Sequence, residues 1–81
     1  MQNYKNINGN SGVESYEIGE DYILVKFKLQ SFSSRDTYKY TYASAGMDNV
    51  EQMKRLAEVG YGLNSFVNRF VKYKYDRSFV K

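Results

Sequence analysis

From Val13 onward polar and apolar positions alternate. Tyr16 and Ile18 fall on one side of an extended segment and Ser15 and Glu17 on the other, until Gly19-Glu20-Asp21 supplies turn chemistry. The pattern predicts a first strand closing into a hairpin. The strongest β-formers cluster in Tyr22 to Lys28, where Ile23, Val25 and Phe27 point one way and Leu24, Lys26 and Lys28 the other, which predicts a second strand. Gln30 to Asp36, with Ser31, Ser33, Ser34 and Phe32, reads as a loop longer than a tight hairpin needs. In Thr37-Tyr38-Lys39-Tyr40-Thr41-Tyr42 an aromatic recurs at every second residue, so a third strand presents Tyr38, Tyr40 and Tyr42 on one face.

After Tyr42 the period changes. Ala43-Ser44-Ala45-Gly46 ends the strand, and Asp48-Asn49-Val50-Glu51 has the form of a capping box, with Asp48 accepting from backbone N–H groups and Glu51 reaching back. Val50, Met53, Leu56 and Ala57 continue at helical spacing, and Gly60 and Gly62 offer positive-φ positions to stop a helix of about three turns. Leu63, Phe66, Val67 and Phe70 predict a second, short helix with Asn64 as its N-cap. Val71 to Tyr75 returns to alternation and reads as a short fourth strand at an edge. Met1 to Gly12 has no apolar period and reads as a flexible arm outside the fold. The expected architecture is α+β: residues 1–12 form the arm and 13–81 one domain, a small antiparallel sheet of three to four strands packed against one longer and one short helix.

Composition narrows the chemistry. A chain of 81 residues makes one domain that buries only about 60% of its unfolded surface, so a deep catalytic cavity is not expected. The chain has no Cys and no His, which removes disulfides, thiolate and imidazole chemistry, and the ligands that structural zinc and haem usually need. Aromatics supply 17% of the residues, a rich source of buried area for a small core. The apolar run Ile23-Leu24-Val25 is far short of the roughly 20 residues of a membrane span, and Met1 to Lys5 has no apolar signal segment, so a cytoplasmic protein without a membrane partner is expected. Twelve Lys and Arg against nine Asp and Glu give a net charge of +3. The charge is unevenly spread: Glu14 to Asp21 is acidic, whereas Arg69 to Lys81 carries Arg69, Lys72, Lys74, Arg77 and Lys81.

With Tyr38-Lys39-Tyr40, the capped helix and Gly60-Tyr61-Gly62-Leu63-Asn64-Ser65-Phe66-Val67-Asn68 in that order, the chain resembles the KTSC domain. That module occurs at the C-terminus of some lysyl-tRNA synthetases and as a stand-alone bacterial or phage protein. The resemblance covers roughly Ser15 to Tyr75. It departs from the family at Ala43 to Gly46, where members often carry Pro, and in the long segment from Gln30 to Asp36. It implies a compact domain of a few strands and one or two helices whose role is unestablished, with RNA binding suggested by the synthetase context. No activity transfers with it.

The residues themselves nominate three surfaces. The tyrosine face of Tyr38, Tyr40 and Tyr42 could stack bases, but in so small a domain it more readily fills the core, leaving Thr37, Lys39 and Thr41 with Lys26 and Lys28 as a basic, wet face. Asn64, Ser65, Asn68 and Arg69 share the polar side of the short helix, suited to phosphates or base edges and equally to capping and solvation. The C-terminal cations interleave with Tyr73, Tyr75 and Phe79, which suits a nucleic-acid strand or the protection of a sheet edge. No pair of carboxylates, nucleophile or phosphate-cradling Gly loop supports catalysis. The expected function is a non-catalytic domain that binds RNA or another nucleic acid through Lys26, Lys39, Asn64, Asn68, Arg69, Lys72, Lys74 and Tyr73 gathered on one side, with no metal and no cofactor. The rival is a protein-interaction module or homodimer that uses an exposed strand edge near Tyr73.

Overall fold

The computed structural model describes residues 1–7, 9, 12–28 and 36–79. Five strands form one antiparallel sheet whose spatial order is the chain order: β1 (Gln2–Asn3), β2 (Val13–Ile18), β3 (Tyr22–Phe27), β4 (Thr37–Thr41) and β5 (Arg77–Phe79). The helices α1 (Tyr42–Ala45), α2 (Met47–Val59) and α3 (Leu63–Phe66), the last running into a π-helical turn at Val67–Val71, lie between β4 and β5 in sequence. The α+β expectation is met. With five strands the sheet slightly exceeds the expected three to four, the unexpected one being the short edge β1. The expected loop with Phe32 at its tip, and Lys81, lie outside the described residues.

The register sorts the side chains. Tyr16 stands beside Val25, which stands beside Tyr38, while Ile18, Ile23 and Tyr40 form the next row, so these residues share one face. Against that face the helices place Val50, Met53, Ala57, Leu63, Val67 and Val71, all buried. Each of these side chains larger than alanine contributes about 1.5–3 kcal/mol of transfer free energy. A bulge between Val13 and Ser15 inserts one extra residue into β2, and by this shift both Val13 and Tyr16, three positions apart, reach the core.

The N-terminal segment is a correction to the sequence reading. Gln2 and Asn3 pair with Tyr16 and Ser15, and Tyr4 is buried with its hydroxyl accepting the N–H of Leu63 at 3.2 Å. Ile7 N–H donates to the Gly60 carbonyl at 2.9 Å. Gly60 closes α2 in the left-handed region at φ 83°, and a Cβ there would meet Lys5 Cβ at 2.5 Å, so this position needs glycine for backbone shape and for the docked N-terminus alike.

The helix boundaries also differ from expectation. The capping box falls earlier, at Thr41 and Ser44, each side chain bonding the other's backbone N–H at 3.0 Å, and it opens α1 at Tyr42. Tyr42 therefore leaves the strand. Gly46 occupies the N-cap of α2 without a side-chain bond, so Asp48 is exposed in the first turn and acts there on the helix dipole. Gly62, not Asn64, is the N-cap of α3.

The predicted strand at Val71 to Tyr75 is replaced at its start by helix. Leu63, Val67 and Val71 recur every fourth residue and are all buried. In an α-helix that spacing over-rotates slightly, whereas the wider π turn under-rotates, so α-helix followed by π turn keeps the three in line while Phe70 is left exposed. The final strand forms downstream, where Ser78 stands beside Tyr38 and Arg77 beside Lys39.

Candidate functional site

The two faces of the sheet carry different chemistry. On the helix side, α3 and the π turn stand off from the ends of β3 and β4 and leave a cleft of about 380 Å³. Asn64, Asn68, Lys72 and Tyr73 line one wall, and Phe27, Tyr38, Tyr40 and Tyr75 the other, with Lys28 and Asp36 completing it. The aromatic rings meet edge to face: Phe27 with Tyr38 at 5.6 Å, Tyr38 with Tyr75 at 4.8 Å and Tyr40 with Tyr75 at 6.4 Å between centroids. Tyr40 is 1% exposed, and burial, reinforced by the neighbouring Tyr38 and Tyr75, holds its hydroxyl neutral far above the usual tyrosine range. Asp36 is 6% exposed, and one of its carboxylate oxygens accepts the Thr37 hydroxyl at 2.9 Å.

The opposite face carries no described helix. Leu24, Lys39 and Arg77 form one row across β3, β4 and β5, and Lys26, Thr37 and Phe79 form the next. Tyr22 lies beside Thr41 at the end of β3. Tyr22, Leu24, Lys39, Arg77, Ser78 and Phe79 line a shallow groove of about 540 Å³. The Lys39 ammonium sits 4.8 Å from the centre of the Tyr22 ring, a cation–π contact. Gly19 makes that placement possible, because a Cβ there would fall 2.0 Å from the Tyr22 ring. Arg77 reaches Asp76 at 3.7 Å, Lys26 pairs with Glu14 at 3.3 Å, and the Tyr22 hydroxyl donates to Glu17 at 3.4 Å.

One pairing on this face is costly in isolation. Lys39 and Arg77 are direct cross-strand neighbours, and like charges so placed repel. An anion lying between them would turn that repulsion into attraction.

The residues expected to form one site are thus divided. Asn64, Asn68, Lys72 and Tyr73 converge on the cleft, while Lys26 and Lys39 stand on the open face. Arg69 lies over the Phe70 ring at 5.5 Å and is exposed, as is Lys74; neither lines the cleft or the groove. The expectation that positive charge gathers on a single side does not hold. Thr37, expected to be wet, is buried, and Lys28 joins the cleft instead of standing beside Lys26 on the open face. The sequence pattern places Arg77 and Phe79 together on the C-terminal surface but does not join Tyr22 to them. Their signal was available only in part, since Tyr22 opens a recognisable strand but Arg77 and Phe79 belong to a strand of three residues.

A third cluster serves architecture. The Tyr42 hydroxyl donates to Glu51 at 2.5 Å, Lys54 pairs with Glu51 at 2.7 Å, and Lys54 also donates to the Glu20 carbonyl at 2.9 Å. Glu51, expected to complete a capping box, instead joins α1 and α2 to the β2–β3 turn. The Lys54 ammonium and the Tyr42 hydroxyl hold the Glu51 carboxyl below the usual carboxylate range, and the bond to Glu51 raises the Tyr42 hydroxyl.

No helix among the described residues is long and apolar enough to cross a membrane. No protein-family model, curated protein or solved structure matches the chain.

Proposed function

We propose that this protein is a non-catalytic domain that binds single-stranded nucleic acid, RNA in the first instance, along the open face of its sheet. The carrying observation is the cross-strand pair of Lys39 and Arg77, two cations set side by side and flanked by the Tyr22 and Phe79 rings. Phosphates passing between the cations relieve their mutual repulsion, and bases of a single strand stack on the rings, each worth on the order of 1–3 kcal/mol. A sheet platform with aromatics and cations suits unpaired bases better than a duplex, whose bases are already stacked. Lys26, tied to Glu14, extends the path toward β2.

The test is a salt titration of affinity for a short single-stranded RNA. Affinity falls as salt rises, with a slope of about 0.7 per phosphate neutralised. In the double variant Lys39→Glu, Arg77→Glu both the affinity and the slope drop, whereas Lys72→Glu with Lys74→Glu leaves the slope nearly unchanged. The reverse pattern would move the site to the helical side.

A protein-docking or homodimer reading draws on a separate observation, the exposure of Phe70 at 51% and Tyr73 at 79% in neighbouring positions of the chain. Self-association that is insensitive to salt and is abolished by Phe70→Ser favours that reading.

A further inference from the structure

We propose that this protein self-associates head to tail, the aromatic and basic surface of the π turn in one copy seating on an acidic groove beside β1 in the next. The first surface is built on Phe70 and Tyr73, both exposed, with the exposed cations Arg69, Lys72 and Lys74 around them. Its rings are supported from within the chain. Phe66 meets the Phe70 ring at 4.9 Å between centroids, Arg69 lies over that ring at 5.5 Å, and Lys72 lies over Tyr73 at 5.6 Å. Apolar rings bordered by cations suit a partner surface that is apolar at its centre and acidic at its margin.

Charge selects the partner. A symmetric pairing sets one patch against itself, so Arg69, Lys72 and Lys74 would face their own copies and oppose the contact. The complementary surface lies elsewhere on the same chain. Met1, Gln2, Tyr16, Glu17, Ile18 and Glu58 line a groove of about 540 Å³ where β1, β2 and the end of α2 meet. Met1 and Ile18 give it exposed apolar surface, and Glu17 and Glu58 give it carboxylates, against the single amino group of Met1. Burial raises the Tyr16 hydroxyl above its ordinary range and the Glu58 carboxylate raises it further, which sets that charge against the groove floor. The exposed turn after Ile18 adds Glu20 and Asp21. The groove belongs to the β1 edge of the sheet, whereas the π turn leads to β5 at the other edge, and the two surfaces share no residue. Each copy can therefore offer both at once. Such contacts repeat until they close a ring or run on as a chain. Neither surface includes Lys39 or Arg77, so the inference does not rest on the nucleic-acid reading.

Sedimentation of the full chain over a range of concentrations tests this. The mass rises with concentration past that of a dimer, and the rise weakens as added salt screens the charges. Arg69→Glu with Phe70→Ser removes the aromatic surface, and Ile18→Ser with Glu58→Lys removes the groove. Each double variant alone associates at least about tenfold more weakly, as expected when the centre of a contact is lost. All four positions are exposed, so both variants keep the fold, which urea unfolding checks. An equimolar mixture of the two recovers the wild-type affinity yet stops at a heterodimer, because it joins one intact groove to one intact aromatic surface. A wild-type chain that stays monomeric at every concentration overturns the proposal and leaves the basic surface to an acidic partner of another sequence. Association that ignores salt and persists in the groove variant is the symmetric pairing, and it overturns the proposal as well. The Lys39→Glu, Arg77→Glu variant associates as the wild type does, so failure of this contact and failure of the open-face reading are read separately.

Discussion

Tyr38 and Tyr40 leave β4 on one side and Lys39, between them, on the other. The tyrosines enter a layer closed by α2 and the π turn, where Tyr40 is almost wholly buried and its ring meets Tyr75 edge to face. Lys39 enters a layer with no described helix, where its neighbours are Leu24, Arg77 and the face of Tyr22. One strand of five residues therefore supplies both the stability of the domain and its charged surface. The difference shows how a period of two separates the two tasks at the centre of the strand: changes at Tyr38 and Tyr40 should be felt in folding, and a change at Lys39 in binding.

The strongest way to break this comparison is to truncate both kinds of residue. Tyr40→Ala is expected to destabilise the fold by about 3–5 kcal/mol, as for other buried aromatics. Lys39→Ala should stay within about 0.5 kcal/mol in the same urea-unfolding measurement. Similar losses from the two would mean that the open face is structural.

A second, smaller effect tests how far the helix side reaches. Tyr4→Phe removes the acceptor of the Leu63 N–H and leaves that donor without its partner, at a cost of roughly 1–3 kcal/mol. Amide exchange at Leu63 should accelerate in step. An unchanged stability would show that the N-terminal segment adds little to the layer it covers.

The smallest effect depends on pH. Glu51 titrates below its ordinary range in the folded state, so its contribution is present above the unfolded carboxylate pKa of about 4.3 and is lost as pH falls through the folded value. Tyr42 is shifted upward, so its share is present below the ordinary tyrosine pKa of about 10 and is lost as pH rises through the folded value. Glu51→Gln should flatten the acid side of the stability profile and leave nucleic-acid binding untouched. A change in binding would tie the Tyr42, Glu51 and Lys54 cluster to the open face.

The parts of the fold legible in the sequence are those that repeat. β2, β3 and β4 each show alternation over five or six residues, and Val50, Met53 and Ala57 mark the buried stripe of α2. The parts missed are short or depend on partners far along the chain. Gln2 and Asn3 have no apolar pattern, and their place in the sheet is set by pairing with Ser15 and Tyr16. Val71 to Tyr75 alternates correctly for a strand, yet burial of Val71 in line with Leu63 and Val67 outweighs it. Of the candidate site residues, Asn64, Asn68, Lys72 and Tyr73 come together because helical spacing brings them to one wall. Lys39 and Arg77 meet only through the β4–β5 register, which a strand of three residues does not announce.

The account stands most directly on where a single strand of RNA touches the protein. Titrating a short unpaired RNA while following backbone amide resonances should shift Tyr22, Leu24, Lys39, Arg77 and Phe79 together, and the shifts should fade as salt is raised. Shifts centred on Phe70 and Tyr73 with no salt dependence, or no shifts on β3, β4 and β5 at any salt, would contradict it.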